Sequence, residues 1–308
     1  MTHEVVVYGL GKMGWGVARQ LNQKGIRVVA YNRTKDKVDK AVAEGMIGAT
    51  SHQDIFKNII SKPRVIWLML PAGEIIDNVL FGADGLISYL NKGDFIIDAG
   101  NSFYKDDIKR HLKVQEKNIS YIDVGVSGGP SGALNGACLM VGGDKDSFKY
   151  LSHIYEAVAK PNGVSFCEGV GAGHFAKMVH NGIEYGMMQA IGEGFEVLRK
   201  SKFNFDLEEV ARIYNTGSVI ESRLIGWLQS AYKQHGQSLS DISGKVSHSG
   251  EGKWTVETAK ELNIDVPVIE ASLDFRVASQ KNPSYTGQVV SALRGQFGGH
   301  KVDNDKKQ

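Results

Sequence analysis

Short apolar runs separated by amphipathic stretches dominate the first half of the chain. Val5–Tyr8, Val28–Tyr31, Val65–Leu70 and Phe95–Asp98 are rich in β-branched residues and bounded by Gly, Pro or Asn, which reads as buried strands. Between them, Lys35–Glu44 and Ser51–Ile59 carry helical patterns, with Thr34 and Thr50 placed as N-caps. This alternation predicts a parallel sheet covered on both faces. Tyr121–Val126 and Cys138–Val141 are further strands, separated by a Gly-rich turn. Near Gly169 the pattern changes. From His174 to about Lys202 apolar residues recur at helical spacing without a Pro or a turn cluster, and further helices are expected at Asp206–Asn215, Glu221–Gln234, Val266–Lys281 and Ser284–Phe297. No strand pattern returns. The chain is therefore expected to be α/β, with a doubly wound N-terminal sheet over residues 1–170 and an all-α C-terminal domain over residues 171–308.

Composition narrows the partners. The 308 residues are 42% hydrophobic, enough for two cores, and 36 Lys and Arg face 34 Asp and Glu for a formal charge of +2. A nucleic-acid binder would show a basic excess gathered on one face, which is missing here. The longest apolar run, Val65–Leu70, is far too short to span a bilayer. Met-Thr-His-Glu passes straight into Val5 without a basic start or a cleavage site, and Cys138 and Cys167 make neither a metal spacing nor a disulfide framework. A cytoplasmic protein with no membrane, nucleic-acid or metal partner is expected.

The first strand leads into Gly9, Leu10, Gly11, Lys12, Met13 and Gly14, and a helical pattern follows at once. In a Rossmann-type dinucleotide fingerprint the first Gly makes the turn and the second admits the pyrophosphate. The third lets the helix pack against the strand, and the helix N-terminus faces the phosphates. An acid at the end of the second strand would bind the 2′-hydroxyl of NAD; here stand Asn32, Arg33 and Thr34. The guanidinium fork of Arg33 suits a 2′-phosphate, so NADP is the expected cofactor, with NAD possible.

The stretch 171–186 carries the chemistry. Lys177, Asn181 and Glu184 fall at i, i+4 and i+7, with His180 beside Asn181, so all four polar side chains share one helix face. Gly182 and Gly186 sit mid-helix, at a cost of roughly 1 kcal/mol each relative to Ala, which points to something packed closely there. A desolvated lysine can take the proton of a secondary alcohol as hydride leaves for a nicotinamide. Its ammonium can then polarise the new ketone, and after loss of CO2 a glutamic acid on the same face can protonate the enediol. Two further clusters are Asp98–Ser102, at the carboxyl edge of the sheet where ligands bind, and Val126–Gly132, whose free amides could cradle a carboxylate.

Together these motifs resemble the β-hydroxyacid dehydrogenase superfamily and, within it, the decarboxylating 6-phosphogluconate dehydrogenases. The resemblance runs from Gly9 to His300, and the run Lys177–Gly186 is its most specific part. It implies Lys177 as general base and then acid, and Glu184 as the acid that protonates the enediol, with Asn181 beside them. Asn101, Ser127, Gly128, Gly129, His180 and Asn181 would hold the sugar acid, while Tyr185, Arg276, Arg294 and His300 would bind its phosphate end. Met13 would lie against the nicotinamide, and Leu70, Pro71 and Asn101 would complete the cofactor site. The resemblance also implies a homodimer or larger homo-oligomer in which Arg294 and His300 close over the neighbouring subunit's substrate. The chain has the shorter helical half of a short form, and Glu251 stands where the longer enzymes carry a neutral phosphate ligand. Two other functions fit the same motifs: a β-hydroxyacid dehydrogenase for a small hydroxy acid or semialdehyde, and a non-catalytic NADP-binding regulator.

Overall fold

A computed structural model describes residues 3–298 of the protein. The described residues form two compact units that divide between Lys177 and Met178, so the division falls inside one helix. The first unit is built on β1 (Glu4–Tyr8), β2 (Arg27–Tyr31), β3 (Ile47–Ala49), β4 (Val65–Leu68), β5 (Phe95–Asp98), β6 (Ser120–Ser127), β7 (Ala137–Gly143) and β8 (Ala159–Glu168). They form one sheet in the order β3-β2-β1-β4-β5-β6-β7-β8. Strands β1 to β6 are parallel, β7 runs antiparallel to β6, and β8 runs parallel to β7.

The period of two along each strand explains why both faces are covered. Val5, Val7, Val28, Trp67, Ile97, Ile122 and Val124 join one buried cluster, with residues of α1 (Lys12–Gln23), α2 (Lys35–Ala43) and α7 (Lys145–Val158). Their alternates Val6, Val29, Ile66, Leu68, Ile96 and Tyr121 join the other, with α3 (His52–Asn58), α4 (Glu74–Phe81) and α5 (Tyr104–Gln115). This is the doubly wound arrangement expected. Among the described residues, no helix is long and apolar enough to cross a membrane.

The structure differs from the sequence reading at several elements. Ser51, not Thr50, caps α3 by accepting from the Asp54 amide, while the Thr50 hydroxyl binds the Asp54 carboxylate at 2.6 Å. Thr34 sits at the N-cap of α2 without a side-chain hydrogen bond. The turn after Ser127 opens into a short helix α6 (Gly129–Asn135), whose Gly and Pro content reads as loop although Pro is well suited to a first helical turn. The three-residue β3 and the half-exposed β8, which contains Pro161, Asn162 and Gly163, carry too little apolar alternation to register as strands.

Helix α8 (Ala172–Lys200) starts in the first unit. The Asp123 carboxylate on β6 accepts the Gly171 and His174 amides, both at 2.7 Å, and so serves the orphan donors at the start of the helix. Here α8 presses onto the sheet. A Cβ on Gly173 would lie 2.6 Å from the Gly142 nitrogen and 2.7 Å from the Asp123 carbonyl, and one on Gly125 would collide with the stem of Lys177.

The second unit contains the rest of α8 with α9 (Leu207–Tyr214), α10 (Arg223–His235), α11 (Glu251–Glu261), α12 (Pro267–Ser279) and α13 (Tyr285–Gly298). Helix α11 was not foreseen from the pattern around Ser249–Trp254. Phe195, Leu207, Ala211, Leu228, Tyr232, Val289 and Leu293 form its core, where α10 packs on α9 and α13. As expected from their mid-helix positions, Gly182 and Gly186 lie against neighbours: an added Cβ would fall 2.8 Å from Thr255 and 3.2 Å from Val268.

Two glycines of α8 give opposite expectations. Gly173→Ala would push a methyl into backbone and should destabilise by about 1–3 kcal/mol or more. Gly194 is exposed with nothing near its Cβ position, so Gly194→Ala should stabilise by roughly 1 kcal/mol. Urea unfolding midpoints of the two variants check both signs.

Candidate active site

The nucleotide turn follows β1, beside β4, where the strand order reverses. Gly9 has φ +104°, and its Cβ would lie 2.5 Å from the Met69 carbonyl, so only Gly fits. Gly14 packs against the Gly9 carbonyl too closely for any side chain, whereas nothing lies within 4 Å of the Cβ position of Gly11. The three glycines thus divide into a turn, an open approach and a helix contact. Helix α1 begins with no side-chain cap and no acid in its first turn, and its positive dipole end suits an anion. Asn32 accepts the Leu10 amide at 2.9 Å and donates to the Thr34 carbonyl at 3.3 Å, tying the turn to the end of β2. Arg33 and Lys12 are exposed there, and Met13 is half-buried. Leu70 and Pro71 follow β4, with the Leu70 carbonyl 2.6 Å from where a Cβ of Gly100 would stand.

Along β6, Asp123, Gly125 and Ser127 share one face. Asp123 holds the start of α8, Gly125 receives the stem of Lys177, and Ser127 is the next residue on that face. Lys177 is only 8% exposed. Asn101 follows β5 at the same carboxyl edge and is exposed, and Gly128 and Gly129 open α6.

Beneath this edge Asp98 and Ser102, from the cluster read in the sequence, join a group of residues that the sequence reading missed. Asp98 and Asp123 pair across β5 and β6, and Asp98, Asp107 and Asp123 are fully buried. The Tyr121 hydroxyl lies 3.0 Å from both Asp98 and Asp107, and Ser102 donates to Asp98 at 2.7 Å. Arg110 stands 3.6 Å from Asp98 and forks onto Asp77 at 2.9 and 3.1 Å. His174 Nδ1 is 2.7 Å from Asp107, and its Nε2 is 3.1 Å from the Gly100 carbonyl. Burial alone would lower the His174 pKa, but Asp107, with Asp98 and Asp123, outweighs it and raises it to about 10. Burial likewise pushes the Asp107 carboxyl up to about 7, with His174 holding it back. Asp98, Asp107 and His174 are close enough to chelate a cation. Their direct hydrogen bonds make them a closed network instead. Nothing in the hydrophobic pattern marks such residues, because a charge reads as surface until tertiary structure buries it.

In the second unit His180 Nδ1 lies 3.0 Å from Asn181 Oδ1 and 3.9 Å from Glu184. Tyr185 is buried, with Gly252 against its ring and the Arg276 guanidinium 3.3 Å from the ring centroid. Arg276 Nη2 is buried without a hydrogen-bond partner among the described residues, and the Tyr185 hydroxyl, though near the Ser249 amide, forms no well-aligned bond. Burial, with repulsion from Arg294, pulls the Arg276 pKa down to about 10, so it stays charged at neutral pH while poorly compensated. Arg294 donates to Ser247 at 2.8 Å and is held below its ordinary pKa by the same burial. Glu184 and Glu251 lie within electrostatic reach of both arginines. Two desolvated guanidiniums beside a tyrosine suit an anion with several acceptor oxygens.

Helix α13 packs on α10 of its own unit, and Arg294 lies within electrostatic reach of Tyr185 and Arg276. His300 lies outside the described residues.

Comparison with known proteins decides the family. Residues 4–171 match the NAD binding domain of 6-phosphogluconate dehydrogenase, and residues 173–308 match the 6-phosphogluconate dehydrogenase C-terminal domain. The chain belongs to the 6-phosphogluconate dehydrogenase family. Bacillus subtilis YqeC is 46% identical over 97% of this chain and 99% of its own length. The NAD(+)-dependent decarboxylating 6-phosphogluconate dehydrogenase of Haloferax volcanii is 38% identical, with 96% and 97% covered. Among solved structures, Plasmodium falciparum 6-phosphogluconate dehydrogenase superposes with a TM-score of 0.76 at 27% identity, covering 94% of this chain and 70% of that one. A Salmonella typhimurium 3-hydroxyisobutyrate dehydrogenase shares the fold, with a TM-score of 0.74 at 20% identity over 93% of this chain and 98% of its own. The chain is thus an oxidoreductase of this family with an NAD(P)-binding domain.

The arginine pair should reveal itself without turnover. Saturating inorganic phosphate should raise the thermal unfolding midpoint, by linkage to roughly 2–3 kcal/mol at a hundredfold excess over Kd. Arg276→Met should fold as well as the parent without phosphate, since it removes a poorly compensated buried charge, and should lose most of the phosphate response. An undiminished response would place the anion elsewhere.

Proposed function

We propose that the protein is a decarboxylating 6-phosphogluconate dehydrogenase, converting 6-phosphogluconate to ribulose 5-phosphate and CO2 with reduction of NADP and, less readily, NAD. The observation that carries this is the Tyr185–Arg276–Arg294 cluster in the unit that also bears His180, Asn181 and Glu184. A small hydroxy acid or semialdehyde has no use for two desolvated arginines, and a regulator has no use for the Lys177–Asn181–Glu184 register. Bound NADP supplies the hydride acceptor.

The chain's own residues supply the rest. Lys177 takes the proton of the 3-hydroxyl as the C3 hydride leaves, and a 3-keto acid forms. Its ammonium then polarises that ketone while the bond from C1 to C2 breaks and its electron pair moves toward C2 and the ketone oxygen. CO2 departs, the ammonium passes its proton to the former ketone oxygen, and an enediol remains. Glu184 delivers a proton to carbon, and the ketone product forms as Lys177 recovers the hydroxyl proton. Asn101, Ser127, Gly128, Gly129, His180 and Asn181 orient the acid and its hydroxyls, and Tyr185, Arg276 and Arg294 hold the phosphate. The turn from Gly9 to Gly14, with Asn32, Thr34, Leu70, Pro71 and Asn101, holds the cofactor, and Arg33 takes its 2′-phosphate. Exposed Val197, Phe203, Val219 and Ile220 on the second unit support assembly into a homodimer.

Reduction of NADP and of NAD with 6-phosphogluconate is followed at 340 nm in the parent enzyme, and absence of turnover with both sinks the reading. Lys177→Met should retain cofactor binding and fall below a few per cent of the parental rate, because base and electrophile are lost together.

Cofactor choice is tested separately. Arg33→Ala should raise the KM for NADP at least tenfold and that for NAD little, since only NADP carries the 2′-phosphate. Equal effects on the two would make Arg33 structural.

A further inference from the structure

Members of the buried network beneath the carboxyl edge of the sheet converge on one peptide. The Gly100 amide donates to Asp98 Oδ1 at 3.1 Å, and the Gly100 carbonyl faces His174 Nε2 at 3.1 Å. Gly100 is thus held at both ends. The peptide bond from Gly100 to Asn101 is planar, so fixing that carbonyl also fixes the direction of the Asn101 amide, which points the opposite way. His174 precedes Lys177 by three residues on α8, within one turn, and its own amide is held by Asp123. One side chain therefore connects the helix that carries Lys177 to the loop that carries Asn101, within a single compact unit.

We infer that His174, oriented by Asp107, is a positioning residue that sets the Asn101 loop against the start of the Lys177 helix. This inference rests on the dehydrogenase reading only for the roles of Lys177 and Asn101. Both ring nitrogens face oxygens, Asp107 Oδ2 and the Gly100 carbonyl; the carbonyl can only accept, and with Asp107 ionised the ring donates twice, as an imidazolium. The charged and titratable groups around it are Asp107 and Arg110 on α5, Asp98 on β5, and Tyr121 and Asp123 on β6. Arg110 is in turn tied to Asp77 on α4. The carboxylates nearest the ring keep it charged, and that charge strengthens its bond to Gly100. With its pKa raised to about 10 by these carboxylates, the ring stays charged through the neutral range in which a surface histidine would titrate.

Two substitutions separate positioning from mere stability. The Gln side-chain nitrogen reaches about as far as Nε2, and that of Asn about as far as Nδ1. His174→Gln therefore keeps a donor for the Gly100 carbonyl and gives up Asp107, while His174→Asn does the reverse. Both lose the buried imidazolium and should lose stability alike. The expected result is a kcat at least tenfold below the parent in His174→Asn and within about threefold of it in His174→Gln, measured per folded enzyme. Equal kcat values in the two, or the reverse order, would overturn the inference. Nitrogen-15 NMR of the parent enzyme provides a measurement that needs no variant and no substrate. One buried histidine ring should carry protons on both nitrogens at pH 8, and a ring neutral at that pH would falsify it. If the parent fails to turn over 6-phosphogluconate while this doubly protonated ring is present, the functional reading fails and the network stands.

Discussion

The structure depends on how closely the start of α8 lies on β6. Helices ordinarily rest on a sheet through their side chains. Here Gly173 on the helix and Gly125 and Gly142 on the strands remove those spacers, and backbone meets backbone. The Asp123 carboxylate closes the contact by accepting two amides at the helix start, so the helix can neither slide nor rotate without breaking them. The position of Lys177 follows from that contact. Its stem occupies the space left by Gly125, one step along the strand from the Asp123 cap and one step before Ser127. A methyl at any of the three glycines would move the lysine and not merely loosen the core.

Burying charge has two outcomes in this chain. In the first unit three carboxylates are compensated by Arg110, His174, Tyr121, Ser102 and helix amides, a closed network that is fixed in geometry because removing one member strands the others. Breaking such a buried pair costs roughly 3–5 kcal/mol even though the intact pair adds little over an apolar replacement. In the second unit Arg276 keeps an unpartnered nitrogen and stacks on Tyr185, with Arg294 adding repulsion. The first arrangement is saturated and holds parts in place. The second is left short of negative charge and is disposed to take an anion. Glu251, buried at the first turn of α11, moderates that deficit, which is how a short second domain can carry two arginines so close together without a ligand.

Much of this was legible in the residues. The alternation of β-branched runs with helical stretches fixed a doubly wound sheet, because a strand buried on both faces must be apolar throughout, and the helical period after Gly169 fixed an all-helical second half. The Gly9–Gly14 turn and the Lys177–Glu184 register could also be read directly, since both are local: their geometry is set by residues within two turns of chain. Elements with weak patterns were missed for the same reason. Helix α6 is made of Gly, Pro, Ser and Ala, β8 is an edge strand with half its residues wet, and the cap of α3 shifted by one residue to Ser51.

Other features depended on residues far apart in the chain. Asp98, Asp107, Asp123 and His174 span 77 positions, and nothing local links them; only the pairing of β5 with β6 and the docking of α5 and α8 make them one buried group. The surroundings of Arg294 were likewise a tertiary matter, since nothing in its own helix says that packing against α10 brings it near Tyr185 and Arg276. Local periodicity determined which elements form and which residues share a face. Long-range packing determined which of those faces meet, because the free energy of burying a charge depends on the partners that arrive from elsewhere in the chain.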